Sequence, residues 1–180
     1  MRALPTLILM LSLTAANAAA QVVTEMTPSR IDQAIAQGVE NKPAPYALRG
    51  RSSWVEFDTP FLRVSERASN AAVADRSIAT PELLAPELHV TAGPEPLGDN
   101  VPAVKQLLIV KPDGTTVAPL SHESYVDYAQ SARRKKIALR GMRAVFPITA
   151  LQPGASFRLV MSDGSETSLP LEPAWFKTPR

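Results

Sequence analysis

Apolar and polar residues alternate through much of the second half of the chain, a pattern typical of strands with one buried face. Residues 104–110 are almost continuously apolar, which predicts an interior strand. Residues 115–120 follow a Pro112-Asp113-Gly114 turn and are expected to return as the hairpin partner. Residues 124–131 fit either a short helix or a loop. Further strands are predicted at 88–92, 136–148, 156–162 and 167–171.

The apolar positions of the 136–148 strand change parity at Gly141. Ile137 and Leu139 are odd-numbered, whereas Met142 and the apolar residues that follow it along the strand are even-numbered. One extra residue at Gly141 would restore a single inward face, and we therefore expect a β-bulge there.

The last hairpin is expected to turn at Asp163-Gly164. A two-residue loop would pair Leu159 with Ser168, whereas a three-residue loop that includes Ser165 would pair Leu159 with Leu169. The second arrangement is the predicted one, because it keeps apolar residues on a single face of the hairpin.

Two short helices are expected before these strands. Thr27-Pro28 is typical of an N-cap followed by proline in the first turn, and it predicts a helix over about 28–37 that stops at Gly38. An alanine-rich stretch predicts a second helix over 65–76. Residues 53–64 alternate like a strand, and their proline indicates an edge strand or a break. Several short strands separated by turns favour a β-sandwich.

Two segments resemble known bacterial proteins. The sequence VFPITALQPG at residues 145–154, followed by FRLV at 157–160, resembles the late strands of immunoglobulin-like bacterial modules. The sequence TPFLRV at 59–64, followed by the alanine-rich stretch, is similar to exported bacterial proteins of uncharacterised function. These resemblances imply a mainly β (α+β) fold, an immunoglobulin-like β-sandwich preceded by two short helices. They imply no activity and bring no functional residues with them.

The N-terminal segment has the order of a secretory signal peptide: a basic start, an apolar run and a series of small residues. Alanines at 16, 18 and 20 place the expected cleavage after Ala18 or Ala20. The apolar run is shorter than the roughly 20 residues that cross a bilayer. We therefore expect a signal peptide at 1–20 and a single mostly-β domain at 21–180, periplasmic or secreted, with no transmembrane segment in the mature chain.

The amino-acid composition excludes several kinds of catalytic and binding site. The absence of cysteine excludes disulfides, thiol catalysis and thiolate metal sites. The net charge is only +2, so total charge does not indicate a polyanion, and export disfavours nucleic acid as a partner. The chain has only 8 glycines, which are scattered, so no phosphate-binding loop is found and no cofactor is expected.

The sequence has no G-x-S-x-G, S-x-x-K or H-E-x-x-H motif. This absence favours an exported, non-enzymatic binding or scaffold module of the cell envelope or extracellular space. The alternative is a hydrolase whose site combines His89 or His122 with Asp58 or Glu123. His122, Glu123 and Asp127 could supply metal ligands, but their spacing fits no established motif, so no metal site is expected.

One segment concentrates positive charge, and Tyr125 and Tyr128 lie shortly before it. We assign it as a candidate anion-binding site for an anionic envelope surface or an acidic partner protein. The alternative is a solvated loop that leads into an edge strand guarded by lysine. With a bulge at Gly141, the last two cations would both point outward. The candidate residues are Arg133, Arg134, Lys135, Lys136, Arg140 and Arg143.

The pair Trp175-Phe176 near the C-terminus could form a docking tail or close the core as an anchor. The anchor is the favoured prediction, because chain ends become ordered when an apolar group ties them down.

Overall fold

The computed structural model describes residues 22–41, 43–72, 74–130 and 134–176. The predicted signal peptide at 1–20 and the candidate residue Arg133 lie outside these residues. Helices lie at Pro28–Glu40 (α1), Pro60–Ser69 (α2) and Pro81–Leu84 (α3), and 3-10 turns at Arg76–Ile78, Ile148–Ala150 and Pro173–Phe176. The described strands are Tyr46–Arg49 (β1), Ser53–Asp58 (β2), Glu87–Pro94 (β3), Val104–Val110 (β4), Thr116–Val117 (β5), Ser121–Gln130 (β6), Lys136–Pro147 (β7), Ser156–Met161 (β8) and Glu166–Pro170 (β9).

The described chain is mainly β, as predicted, and its strands form two antiparallel sheets. The larger sheet has the order β1-β2-β3-β7-β6, and the smaller sheet has the order β5-β4-β8-β9. The apolar strand β4 lies between β5 and β8, which confirms its predicted interior position. No helix in the described ranges is long and apolar enough to cross a membrane.

The core lies between the two sheets and is rich in aromatic rings. Phe57 of β2 packs against Phe157 of β8, with 5.5 Å between the ring centroids, and stacks on Tyr46 of β1 at 5.0 Å. Trp175 contacts both Tyr46 and Phe57, and its carbonyl accepts a 2.7 Å hydrogen bond from the Val22 amide. The predicted role of Trp175 as an anchor is therefore confirmed, because the core encloses its ring.

Helices α1 and α2 pack together beside the sheets around a separate small apolar cluster. Thr27 caps α1 as predicted, but the helix continues through Gly38 to Glu40 instead of stopping at that glycine. Gly38 serves close packing, since a Cβ there would collide with the Ser65 carbonyl oxygen and lie 2.8 Å from the Ala68 Cβ.

The predicted strand over 53–64 ends at Asp58, and α2 begins at Pro60. Thr59 is fully buried and caps this helix, its hydroxyl accepting a hydrogen bond from the Leu62 amide at 3.5 Å. The proline stands in the first turn of a helix, so the predicted break in the strand is confirmed, whereas the edge-strand alternative was wrong because β2 lies between β1 and β3. The second helix consequently covers 60–69, whereas the sequence predicted 65–76.

Residues 121–130 form strand β6, so the predicted helix or loop at 124–131 was wrong. Its pairing with β7 runs without interruption from Ser121–Val145 to Gln130–Lys136. The strand lies at the edge of the larger sheet, and nearly all of its residues are exposed on both faces. It therefore lacks the apolar alternation from which a strand is predicted.

The continuous register also shows that the predicted β-bulge at Gly141 was wrong. Burial changes parity because β7 changes partners: residues 142–145 pair with both β3 and β6 and residues 146–147 with β3, whereas residues 136–141 pair with β6 alone. Gly141 has a different role. The Tyr125 ring lies across it, and a Cβ there would come within 2.5 Å of that ring and of the Ala92 carbonyl oxygen.

Replacing Gly141 with alanine is therefore expected to lower the free energy of unfolding by about 1–3 kcal/mol, the usual cost of overpacking. Urea denaturation of the purified protein measures this change. Gly98→Ala is the matched control, because no atom lies within 4 Å of a Cβ at Gly98. Equal unfolding midpoints for the two variants would contradict the assigned role of Gly141.

The last hairpin has a three-residue loop, but the pairing differs from the predicted one. Phe157 pairs with Leu169 and Leu159 with Thr167, and the Met161 amide donates to the Ser165 carbonyl at 2.8 Å. The loop therefore begins one residue earlier, which places Gly164 at its third position with a positive φ of 84°. Glycine is favoured there because this backbone conformation strains other residues.

Candidate functional site

The outward side of the larger sheet carries polar and ionisable side chains in rows that cross the strands. One row contains Glu56, Thr91, Arg143 and Glu123, which are direct neighbours on β2, β3, β7 and β6. The next row contains Asp58, His89, Val145 and Ser121 on the same four strands. The rows follow from strict alternation, since the residues between them on β2, β3 and β7 are buried in the core, whereas His122 between them on β6 is exposed.

A groove of about 650 Å³ lies over these two rows. Helix α2 contributes Leu62 and Glu66, and the segment before β1 contributes Pro43, Ala44 and Pro45. Four carboxylates line the groove, against one arginine. Its volume falls in the range of ligand-binding clefts. The remaining lining residues are Glu56, Phe57, Asp58, His89, Val90, Thr91, Ser121, His122, Glu123, Arg143, Ala144 and Val145.

Arg143 is held in the groove by two neighbours on β6. Its guanidinium lies 3.3 Å from the Glu123 carboxylate and 5.0 Å from the centre of the Tyr125 ring. Burial raises the pKa of the Tyr125 hydroxyl, and the nearby Arg143 charge acts in the opposite direction. Ion pairing and stacking together fix the direction of the arginine side chain.

Beside the groove, the aromatic rings of Trp54 and Tyr125 each pack against a glycine of the neighbouring strand. Trp54 lies across Gly93 as Tyr125 lies across Gly141, and a Cβ on Gly93 would be 2.7 Å from the indole ring. The Tyr125 hydroxyl donates to the Ala92 carbonyl at 3.4 Å. Both rings therefore pack closely against the backbone of the sheet at these glycines.

Asp58 lines the groove and is paired with the buried Arg63 of α2. The Arg63 guanidinium donates to the Asp58 carboxylate at 3.1 Å and to the carbonyls of Glu87 and Ala85 at 3.0 and 2.9 Å. Burial raises the pKa of Asp58, and the hydrogen bond and charge of Arg63, with the nearby His89, partly offset that rise. Arg63 therefore connects α2 to the larger sheet and neutralises the charge of the Asp58 carboxylate.

The four residues of the hydrolase alternative, His89, His122, Asp58 and Glu123, all line this groove. His89 is the cross-strand neighbour of Asp58, and its Nε2 lies 3.4 Å from the Glu87 carboxylate. Ser121 lies in the same row, with Val145 between it and His89. The groove thus brings together a histidine, carboxylates and a serine that are far apart in the sequence.

The structure disperses the predicted anion-binding residues. Arg140 and Arg143 lie on opposite faces of β7, because the strand has no bulge between them. Lys135 forms an ion pair with Asp99 at 3.5 Å, and the Lys136 ammonium lies over the Tyr128 ring at 4.2 Å. Arg134 is exposed at the hairpin end with a positive φ of 59°. Anion binding by this segment stays a prediction, without Arg143 as a member of a single stripe.

Sequence reasoning missed Glu56, Glu66, Thr91, Ser121 and Arg63 as parts of this site. The alternation of Trp54, Glu56 and Asp58 is a signal for the polar face of β2. No comparable signal identifies Arg63, since residues 53–64 were assigned to a strand, or Glu66, since the helix predicted at 65–76 was not placed against the sheet.

Metal ligands do not cluster in the described part of the chain: no group of three or more histidine and acidic side chains there could hold a metal ion. Comparison with known proteins finds no matching family model, no matching curated protein and no matching solved structure.

Proposed function

We propose that this chain is an exported, non-enzymatic binding module of the cell envelope or extracellular space, and that the groove on its larger sheet is the ligand site. The observation that carries this proposal is the groove itself, about 650 Å³ over a sheet face lined with ionisable groups. Pockets of this size with a few convergent polar groups are the usual sites of ligand binding.

The charges of the groove favour a ligand with positive groups. Four carboxylates line it against one arginine, and that arginine is already paired with Glu123. Asp58 is balanced by Arg63. Glu56 lies 4.0 Å from Arg49, but that arginine has a closer partner in Glu95 at 3.0 Å, so Glu56 and Glu66 are the groove carboxylates best placed to meet a cation. The proposed ligand is therefore a peptide or polymer that carries amine or guanidinium groups.

Calorimetric titration with hexalysine tests this assignment. The double variant Glu56→Gln, Glu66→Gln is expected to bind about five- to tenfold more weakly, because each partly exposed ion pair contributes only a fraction of a kcal/mol to about 1 kcal/mol. Binding should also weaken as salt is added, since salt screens such charges. Glu166→Gln is the control, because Glu166 is exposed on β9 of the other sheet. Equal affinities for all three proteins would contradict the proposal.

The hydrolase alternative keeps a specific observation in its favour, because His89, Asp58 and Ser121 line one groove. A carboxyl group whose pKa is raised by burial is also what general acid–base catalysis uses. A panel of ester, amide and glycoside substrates distinguishes the two functions. Turnover by the native protein that His89→Ala abolishes would favour the hydrolase over the binding module.

Export and fold family are part of the same proposal. The order of charged, apolar and small residues at 1–20 supports a cleaved signal peptide and a periplasmic or secreted protein. Two antiparallel sheets with an aromatic core between them support an immunoglobulin-like relationship. The basic hairpin end supports an anionic envelope surface or an acidic protein as a further partner.

A further inference from the structure

Strand β6 leaves one edge of the larger sheet open. It is ten residues long and comes last in its sheet, so only its β7 side is paired within the described chain. An open strand of this length presents a row of backbone donors and acceptors that can pair with another strand. Proteins usually guard such edges with a short strand, proline or charged side chains, above all lysine. β6 contains neither proline nor lysine, and its carboxylates are those of Glu123 and Asp127.

The same strand exposes large apolar side chains. Val126 is 53% exposed and Tyr128 is 58% exposed, and both lie on the face of β6 that adjoins Arg140 and Ala138. Leu120, which directly precedes the strand, is 65% exposed. Three of the five large exposed apolar side chains in the described ranges thus lie on or next to β6, which marks it as an interaction surface.

We propose that β6 pairs antiparallel with β6 of a second copy of this chain, so that the two larger sheets become one continuous sheet. A twofold axis perpendicular to the sheet produces this arrangement and keeps the grooves of both copies on the same side. The proposal goes beyond ligand binding and does not depend on a ligand in the groove.

Two twofold registers centre on the middle of β6, and the charges of the strand distinguish them. If Tyr125 faced its own symmetry mate, Asp127 would face Glu123 of the second copy, and like charges directly opposite each other are destabilising. If Val126 faces its symmetry mate, Asp127 faces Tyr125, and Tyr128 faces Ser124. The second register removes the charge conflict and places two exposed valines together at the axis.

Charge complementarity favours a second copy as the occupant. In the Val126 register, His122 faces Gln130 of the other copy, so the basic end of the other hairpin, which carries Arg134, extends past the start of β6. That start borders the groove, whose carboxylates outnumber its arginine four to one. In the dimer, the basic hairpin end of each copy thus lies next to the acidic groove of the other copy, so the same contact occurs two times.

Single cysteine variants of the exported protein test both the pairing and its register, because the native chain has no cysteine. Val126→Cys should form a disulfide-linked dimer when diamide is added as oxidant, since facing residues of antiparallel strands lie about 4.5–5.5 Å apart. Tyr128→Cys is the matched control. It is equally exposed, but its symmetry mate is displaced by four residues, about 14 Å along the strand. Non-reducing electrophoresis separates the products, and light scattering of the native protein gives its mass.

A dimeric native protein with rapid cross-linking at position 126 and little at position 128 is the expected result. Melting temperatures close to the native value confirm that both variants fold. A native protein that stays monomeric at high concentration would overturn the proposal, as would equal cross-linking at the two positions. If the protein stays monomeric and its β6 edge instead pairs with a strand of another protein, the dimer is rejected and the edge is a binding site for a different partner.

Discussion

Replacing Arg63 with alanine is expected to lower the free energy of unfolding by about 3 kcal/mol, the lower end of the cost of breaking a buried ion pair. The side chain is only 8% exposed and donates to Asp58 and to two backbone carbonyls. Its removal leaves those acceptors without their donor and loosens α2 from β3. Asp58 keeps some contact with water, which is why the lower end applies.

Guanidinium denaturation measures the loss, and Arg67→Ala provides the control. Arg67 belongs to the same helix but is exposed, so its replacement should change stability by no more than about 0.5 kcal/mol. The groove should also open in the Arg63 variant, because that arginine connects the helix and the sheet that form its walls. If both arginine variants unfold at the same denaturant concentration, Arg63 does not hold these elements together.

Replacing Phe157 with alanine is expected to have the largest effect, about 3–5 kcal/mol. Phe157 is fully buried, and its ring packs against Phe57 of the opposite sheet. The smaller side chain leaves a cavity where the two sheets meet, and the surrounding aromatic rings cannot collapse fully into it. Thermal and chemical denaturation should both report the loss.

Leu97→Ala serves as the control, because it removes a large apolar side chain from a position that is 68% exposed and lies away from β6. Its unfolding midpoint should stay close to that of the native protein. A small effect of Phe157→Ala would mean that the two sheets do not share one core.

The sequence predicts the core strands well because their apolar alternation is strong. The bounds of β4 are those predicted, and β3, β7, β8 and β9 differ from prediction by only a residue or two at most ends. Strand β6 was missed because it is exposed on both faces, so that pairing with β7, and not burial, makes it a strand. Single-sequence patterns report burial and carry little information about pairing.

Two other errors have local causes. Thr59-Pro60 has the same pattern of N-cap and proline as Thr27-Pro28. Because apolar and polar residues alternate directly before it, the segment was assigned to a strand and the start of the helix was missed. At Gly141 the change of parity is real, but it marks the loss of the β3 partner and the position of an aromatic ring. The first cause lies in the sequence itself, whereas the second cannot be recognised without knowing which strands are neighbours.

Only some residues of the candidate site could be predicted from the sequence. Asp58, His89, His122 and Glu123 were named as ionisable residues of an alternative active site, and all four line the groove. Their convergence depends on the strand order β2-β3-β7-β6, in which neighbours in space are distant in the chain. The basic segment was conspicuous in the sequence because its residues are consecutive, yet β7 separates Arg140 and Arg143 onto opposite faces.

Nuclear magnetic resonance titration of the isotope-labelled protein with hexalysine tests the central claim most directly, because it reports where a cationic ligand binds. The expected result is a set of saturable shifts at the amides of Glu56, Thr91 and Arg143, which form the row beneath the groove. Hexaglutamate should leave these amides unchanged. Shifts confined to the smaller sheet, or equal shifts with both peptides, would contradict the assignment of the groove as the binding site.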